Sequence, residues 1–145
     1  MKVTPRTEEE TAMAGLLEAG TYDAEVIKAQ ETTSKAGNEM LALDLRIFGK
    51  NGAGDRIVYD YLLDTESMAF KLRHFCDSAG ILHLYEAGAV EADKLIGKTV
   101  KAVIEVRKQK DFPPKNAVKD YLTHAQIENG GKAAKDAEPD DDLPF

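Results

Sequence analysis

Cysteine is almost missing from this 145-residue chain, where Cys76 stands alone. One cysteine excludes an intramolecular disulfide and any cysteine-cluster metal site, and it fits a reducing compartment. Its expected place is a buried apolar position on a helix. Histidine is nearly as scarce. His74, His83 and His124 are scattered, with no His-x-x-x-His or His-Glu spacing, so they signal neither a metal site nor a general base. There is no phosphate loop or nucleophile elbow, and Gly52-x-Gly54 is too short for a nucleotide fingerprint. Asp60 and Asp64 are the one carboxylate pair whose spacing suits a divalent ion, as in a small nuclease, although strand-end carboxylates are the commoner use. The expectation is a protein that is not an enzyme and needs no cofactor or metal. Long apolar runs are absent too. No segment approaches the roughly 20 apolar residues of a membrane span, and Met1-Lys2-Val3-Thr4-Pro5-Arg6 lacks the apolar core of a signal peptide. A cytoplasmic protein without a membrane partner is expected. The chain has no internal repeat.

What is present begins with charge. The formal net charge of -7 ordinarily argues against a nucleic-acid partner. The average misleads. Asp136, Glu138, Asp140, Asp141 and Asp142 carry -5 of it, leaving about -2 for the rest. From Lys98 to Lys119, seven cations (Lys98, Lys101, Arg107, Lys108, Lys110, Lys115, Lys119) face only Glu105 and Asp111, a local balance of +5. A basic stretch and an acidic tail share one chain.

Periodicity divides the rest. Thr7 to Ala19 suits a short amphipathic helix, with Thr7 as cap and Gly20 as stop. Tyr22, Ala24 and Val26 alternate with Asp23 and Glu25, the period of a half-buried strand over residues 21–31. After loop residues 32–38, Leu41, Leu43, Leu45 and Ile47 recur at period two. The Gly49–Gly54 turn then leads to a third strand, Arg56 to Leu63, rich in Ile57, Val58, Tyr59 and Tyr61. Between Glu66 and Ala79 the period becomes helical, with Ala69, Leu72, Phe75, Cys76 and Ala79 on one face and Gly80 as the stop. Residues 81–96 read as loop with one helical turn around Val90 to Leu95. A fourth strand follows over Lys98 to Lys110, then a long loop from Lys110 to Asn116, then a fifth strand over Ala117 to Ala125.

Three strands, a helix and two strands is the order of the five-stranded oligonucleotide/oligosaccharide-binding barrel, the OB-fold, a mainly β class. The expected organisation is a lead-in over residues 1–19, an OB-fold domain over 20–127 and an acidic tail over 128–145, disordered by composition. In that barrel the outer face of strands two and three and the loops joining strands one to two and four to five bind the ligand. If Leu41, Leu43, Leu45 and Ile47 fill the barrel, Met40, Ala42, Asp44, Arg46 and Phe48 face out. Aromatic and guanidinium planes stack on bases while cations track phosphates. Arg46 and Phe48 suit that task, unless Phe48 merely finishes the apolar surface at a strand end. Tyr59 and Tyr61 share a face of strand three, inner or outer. Lys28 and Lys35 lie on or near the first loop; Arg107, Lys108, Lys110, Phe112 and Lys115 surround the last, where Pro113-Pro114 stiffens a clamp. Lysines guarding exposed strand edges are the plainer alternative.

The sequence closes on Asp140-Asp141-Asp142-Leu143-Pro144-Phe145. Carboxylates followed by an apolar peptide suit docking into a partner, with Phe145 as anchor. The same carboxylates oppose the basic stretch, so removing them is expected to tighten binding of single strands and to let duplex DNA bind.

This hexapeptide resembles the tail of bacterial single-stranded DNA-binding proteins, which usually end in Asp-Asp-Asp-Ile-Pro-Phe. The resemblance implies that Pro144 and Phe145 enter an apolar pocket on genome-maintenance proteins while Asp140 to Asp142 meet basic residues around it. Gly20-Thr21-Tyr22-Asp23-Ala24-Glu25-Val26, Thr33-Ser34-Lys35-Ala36-Gly37-Asn38-Glu39-Met40, and Phe70-Lys71-Leu72-Arg73 ahead of Ser78-Ala79-Gly80 look like a family of small bacteriophage single-stranded DNA-binding proteins. That second resemblance covers about Gly20 to Ala125. It implies an OB-fold, a role in phage replication or recombination inside an infected bacterium, single-stranded DNA as ligand, and host or phage replication and repair proteins as partners. An adaptor that binds another replisome protein is the alternative, and self-association is left open.

Overall fold

A computed structural model describes residues 1–8, 10–11, 15–50 and 54–128. Five strands carry the architecture: β1 (Gly20–Thr33), β2 (Glu39–Ile47), β3 (Arg56–Leu63), β4 (Thr99–Gln109) and β5 (Phe112–Tyr121). They form one antiparallel sheet in the order β3-β2-β1-β4-β5. Helix α1 (Ala69–Ser78), the short α2 (Leu82–Glu86) and a 3-10 turn (Ala92–Lys94) lie between β3 and β4, and α3 (His124–Glu128) follows β5. The class is mainly β, with the expected helix after strand three.

Alternation decides what each strand buries. Leu41, Leu43, Leu45 and Ile47 of β2 face the core, as do Val58 and Leu62 of β3 and Val100, Ala102 and Ile104 of β4. β1 curls the sheet because its first half pairs with β4 and its second half with β2, the two overlapping at Ala24 and Glu25. A bulge sits at that bend. Val26 lies opposite Leu45 and Lys28 opposite Asp44, so Ile27 has no cross-strand partner and the inward positions shift from Tyr22, Ala24 and Val26 to Ala29.

Helix α1 closes one end of the curled sheet with Leu72, Phe75 and Cys76. Gly80, at φ 78°, ends it in a Schellman turn: the Ile81 N–H donates to Cys76 O at 2.8 Å and the Gly80 N–H to Asp77 O at 3.0 Å. The Phe75 ring meets Tyr121 edge-on, with centroids 5.1 Å apart.

β3 and β5, at the two ends of the strand order, approach each other without a hydrogen-bonded ladder. Polar side chains bridge this seam. Lys71 Nζ of α1 donates to Asp60 Oδ1 of β3 and to Val118 O of β5, each at 2.8 Å. The Tyr121 hydroxyl of β5 donates to the other Asp60 oxygen at 2.6 Å. Lys71 and Asp60 are each 8% exposed, so the charges sit in the interior, where only mutual pairing makes them tolerable.

Two expectations are corrected. The segment from Lys110 to Asn116 is not a long loop: Gln109 pairs with Phe112 across a two-residue turn, Lys110-Asp111, with Asp111 at φ 68°. Pro113 and Pro114 belong to β5, an edge strand of the order, and fall where the register shifts between the pairs Arg107–Lys115 and Gln109–Phe112, so the ladder uses neither missing N–H. The amino-terminal helix is also shorter than the Thr7–Ala19 span. Thr7 and Glu10 form a capping box, with Glu10 N–H to Thr7 Oγ1 at 3.0 Å and Thr7 N–H to Glu10 Oε1 at 2.9 Å. Helix is present at Glu8, Glu10 and Thr11, and residues 15–19 are non-helical. Leu17 there is buried in the core. The Asn116 side chain holds it like a neighbouring strand, accepting from Leu17 N–H and donating to Leu17 O, both at 2.9 Å. The expected tail, with Asp140, Asp141, Asp142, Leu143, Pro144 and Phe145, lies outside the described residues.

Candidate nucleic-acid interface

Because Val58, Asp60 and Leu62 point inward, Ile57, Tyr59 and Tyr61 of β3 must point out. Tyr59 is 62% exposed and Tyr61 52%. The open choice for these two rings is thereby decided in favour of the outer face. Register then sets their neighbours. Asp44 lies between Tyr59 and Lys28, Ala42 between Tyr61 and Gln30, and Arg46 between Ile57 and Glu25. Directly opposed residues stand roughly 5 Å apart at Cβ, so Lys28, Arg46, Tyr59 and Tyr61 occupy one patch across three strands. Ala42 is too small to cover Tyr61. Two aromatic faces are left to solvent, with Asp44 directly beside Tyr59, Arg46 diagonal to it and Lys28 one strand further.

The other candidates are placed differently. Phe48 follows the last β2 pair, half-buried, and its N–H donates to Asp23 O at 3.0 Å, so it closes the strand end. Arg46 is exposed, with Asp55 at 3.6 Å. Lys35 is on the exposed β1–β2 turn, beyond the carboxyl end of β1. The β4–β5 hairpin passes the opposite end of β1, since Gly20 pairs with Ile104 and the hairpin runs on beyond it. Lys35 and the hairpin therefore stand at opposite ends of the sheet. On the hairpin, Arg107 lies across from Lys115 and is ion-paired with Glu105. Lys108, Lys110 and Lys115 are exposed, as is Phe112 at 67%. The amino-terminal segment flanks this hairpin, and Arg6, Thr11, Lys108, Phe112 and Pro113 line an open cleft of about 830 Å³ between them. The basic stretch does not form a single stripe, because Lys101 is drawn to Asp23 on β1.

Asp60, weighed as a metal ligand with Asp64, has both oxygens engaged by Lys71 and Tyr121, while Asp64 lies exposed past the end of β3. That pairing for a divalent ion does not form. Among the described residues no group of three His, Cys, Asp or Glu side chains is arranged to hold a metal ion. Burial and the adjacent Asp60 carboxylate push the Tyr121 hydroxyl well above the usual tyrosine range. Two histidines pair with aspartates around α1: His74 Nδ1 of α1 with Asp120 of β5 at 3.0 Å, and His124 Nδ1 of α3 with Asp77 of α1 at 3.1 Å. The bond to Asp120 raises the His74 pKa above its ordinary 6.5. Burial pushes the Cys76 thiol up to about 11. Among the described residues no helix is long and apolar enough to cross a membrane.

Sequence reasoning missed three participants. Lys71 falls between the apolar positions of α1, and it becomes identifiable only once Asp60 is known to point inward, where the acid needs a cation. Ile57 and Gln30 complete the outer patch and become visible only once the register is known.

These features define a mainly β protein in which a curled, helix-plugged sheet presents an aromatic outer face. Residues 6–128 match the family described as "Protein of unknown function (DUF669)", and the chain belongs to that family. No curated protein matches it.

Proposed function

We propose that this DUF669 protein is a non-enzymatic single-stranded DNA-binding protein with an OB-type barrel, serving phage replication or recombination. The observation that carries this reading is the pair Tyr59 and Tyr61, exposed at successive outward positions of β3 with Lys28 and Arg46 on the same face. Tyrosine rings so placed stack on bases without regard to sequence, and each stacked base contributes roughly 1–3 kcal/mol. Arg107, Lys108, Lys110, Phe112 and Lys115 extend the path along the β4–β5 hairpin. Strand order supports the barrel: β3-β2-β1-β4-β5, with the β3–β5 seam bridged by Lys71, needs only that seam to close. The Asp140–Phe145 segment recruits replication or repair enzymes.

Fluorescence anisotropy of a labelled single strand tests the reading. Binding weakens with salt at a slope of about -0.7 per phosphate neutralised. Tyr59→Ala and Tyr61→Ala each weaken it by roughly tenfold with an unchanged melting temperature, since neither ring packs in the core. No retention of oligonucleotide at low salt, by either the full chain or one shortened before Asp136, would sink the proposal.

One observation favours an adaptor that binds protein instead. Several outer-face cations have a carboxylate beside them: Arg46 has Asp55, Lys101 has Asp23 and Arg107 has Glu105. Nuclease digestion separates the two, because an adaptor leaves single strands unprotected.

A further inference from the structure

Asp44 is out of place on a surface for phosphates. It projects from the middle strand of the outer patch, between Lys28 on β1 and Tyr59 on β3. Among the described residues its carboxylate receives no hydrogen bond and makes no ion pair, although it is half-buried. A carboxylate there repels a nucleic-acid backbone, so it serves a strand only if it meets something other than phosphate. A base that stacks on Tyr59 with its edge toward β2 lies over Asp44, the residue directly across. Single strands expose their Watson–Crick edges to such contacts.

The two carboxylate oxygens accept best from two parallel donors. Guanine alone among the DNA bases offers them side by side, as N1–H and the N2 amino group. Cytosine and adenine each set one amino donor next to a ring-nitrogen acceptor. Thymine flanks its single N3–H with two carbonyl oxygens, so a second carboxylate oxygen meets repulsion. We infer that Asp44 is a specificity-determining residue that makes this face prefer guanine-bearing single strands and disfavour thymine. Lys28, on the other side of Asp44, is then free to follow the backbone. The inference rests on the single-strand reading above and adds a base preference to it.

The test compares three fluorescein-labelled oligomers of about 15 nucleotides: all thymine, the same with one central guanine, and the same with one central hypoxanthine, which keeps N1–H but lacks the N2 amino group. The full-length protein is expected to bind the guanine oligomer about tenfold tighter than the thymine oligomer, with hypoxanthine between them. Asp44→Asn, which cannot accept from both donors, brings the three affinities together and tightens binding of the thymine oligomer; Asp44→Ala checks that the effect follows the lost carboxylate. Equal binding of all three by the unaltered protein, or a guanine preference that survives both substitutions, overturns the role of Asp44 and leaves single-strand binding intact. Failure of both the full-length protein and one shortened before Asp136 to bind any of them at low salt overturns the single-strand reading itself.

Discussion

Replacing Lys71 by methionine keeps the length and apolar body of the side chain and removes only its charge and donors. In the native fold that ammonium gives one hydrogen bond to Asp60 Oδ1 and one to Val118 O, both at 2.8 Å. After the change Asp60 keeps only the Tyr121 hydroxyl, and a carboxylate 8% exposed has no counter-charge. Breaking a buried pair from one side costs about 3–5 kcal/mol, a large part of the roughly 5–15 kcal/mol that holds a typical domain together. At about 3–4 °C per kcal/mol for a domain of this size, the melting temperature should fall by on the order of 10–20 °C. The triple change Asp60→Leu, Lys71→Met, Tyr121→Phe removes every polar member. It leaves Val118 O short of one donor, at about 1 kcal/mol, and should lie well above the Lys71→Met single variant. Urea unfolding followed by far-ultraviolet circular dichroism measures both, which suits a chain with no tryptophan. The reasoning fails if Lys71→Met costs less than about 1 kcal/mol, or if the triple variant is as unstable as its three single changes summed.

The bond from Asp120 raises the pKa of His74 in the folded state, so the protonated imidazole stabilises the fold. That contribution is complete below the unfolded value near 6.5 and is lost as pH rises through the higher folded value; His74→Gln should remove this fall from the stability profile across that window. Cys76 is buried, with its thiol pushed up to about 11, so a thiol-reactive dye should leave the native protein unlabelled at pH 8 and label it fully in urea. Asn116→Ala deletes both hydrogen bonds that hold Leu17 and should cost about 1–2 kcal/mol, with faster amide exchange confined mainly to the first 19 residues; unchanged exchange there would contradict the clamp.

The mainly β class and its elements were legible wherever burial alone sets the pattern. β2 follows from Leu41, Leu43, Leu45 and Ile47, and α1 from Leu72, Phe75 and Cys76, because each buries one face and exposes the other. What escaped depends on partners distant in sequence. The face of Tyr59 and Tyr61 was ambiguous because Asp60 is polar, and its inward position makes sense only with Lys71 and Tyr121, which lie 11 and 61 residues away. The lead-in hid Leu17 because Asn116, its holder, is 99 residues distant. Simple alternation from Tyr22 onward would bury Lys28, and only the bulge at Ile27 turns that lysine outward beside Asp44. The Pro113-Pro114 pair signals a loop in most settings. Here a register shift in an edge strand absorbs it.

β3 also sets a rule for tolerated change. Its odd-numbered residues Tyr59 and Tyr61 furnish the outer face, while the even-numbered Val58, Asp60 and Leu62 close the interior. A substitution on one set leaves the other untouched, so the outer face and the β3–β5 seam can vary independently by point change. Deleting or inserting one residue within Ile57–Leu62 exchanges the two sets, drives a tyrosine into the core and ejects the carboxylate from Lys71. Length variation among related chains should therefore collect in the turns on either side of β3, while the strand itself accumulates substitutions and keeps its length.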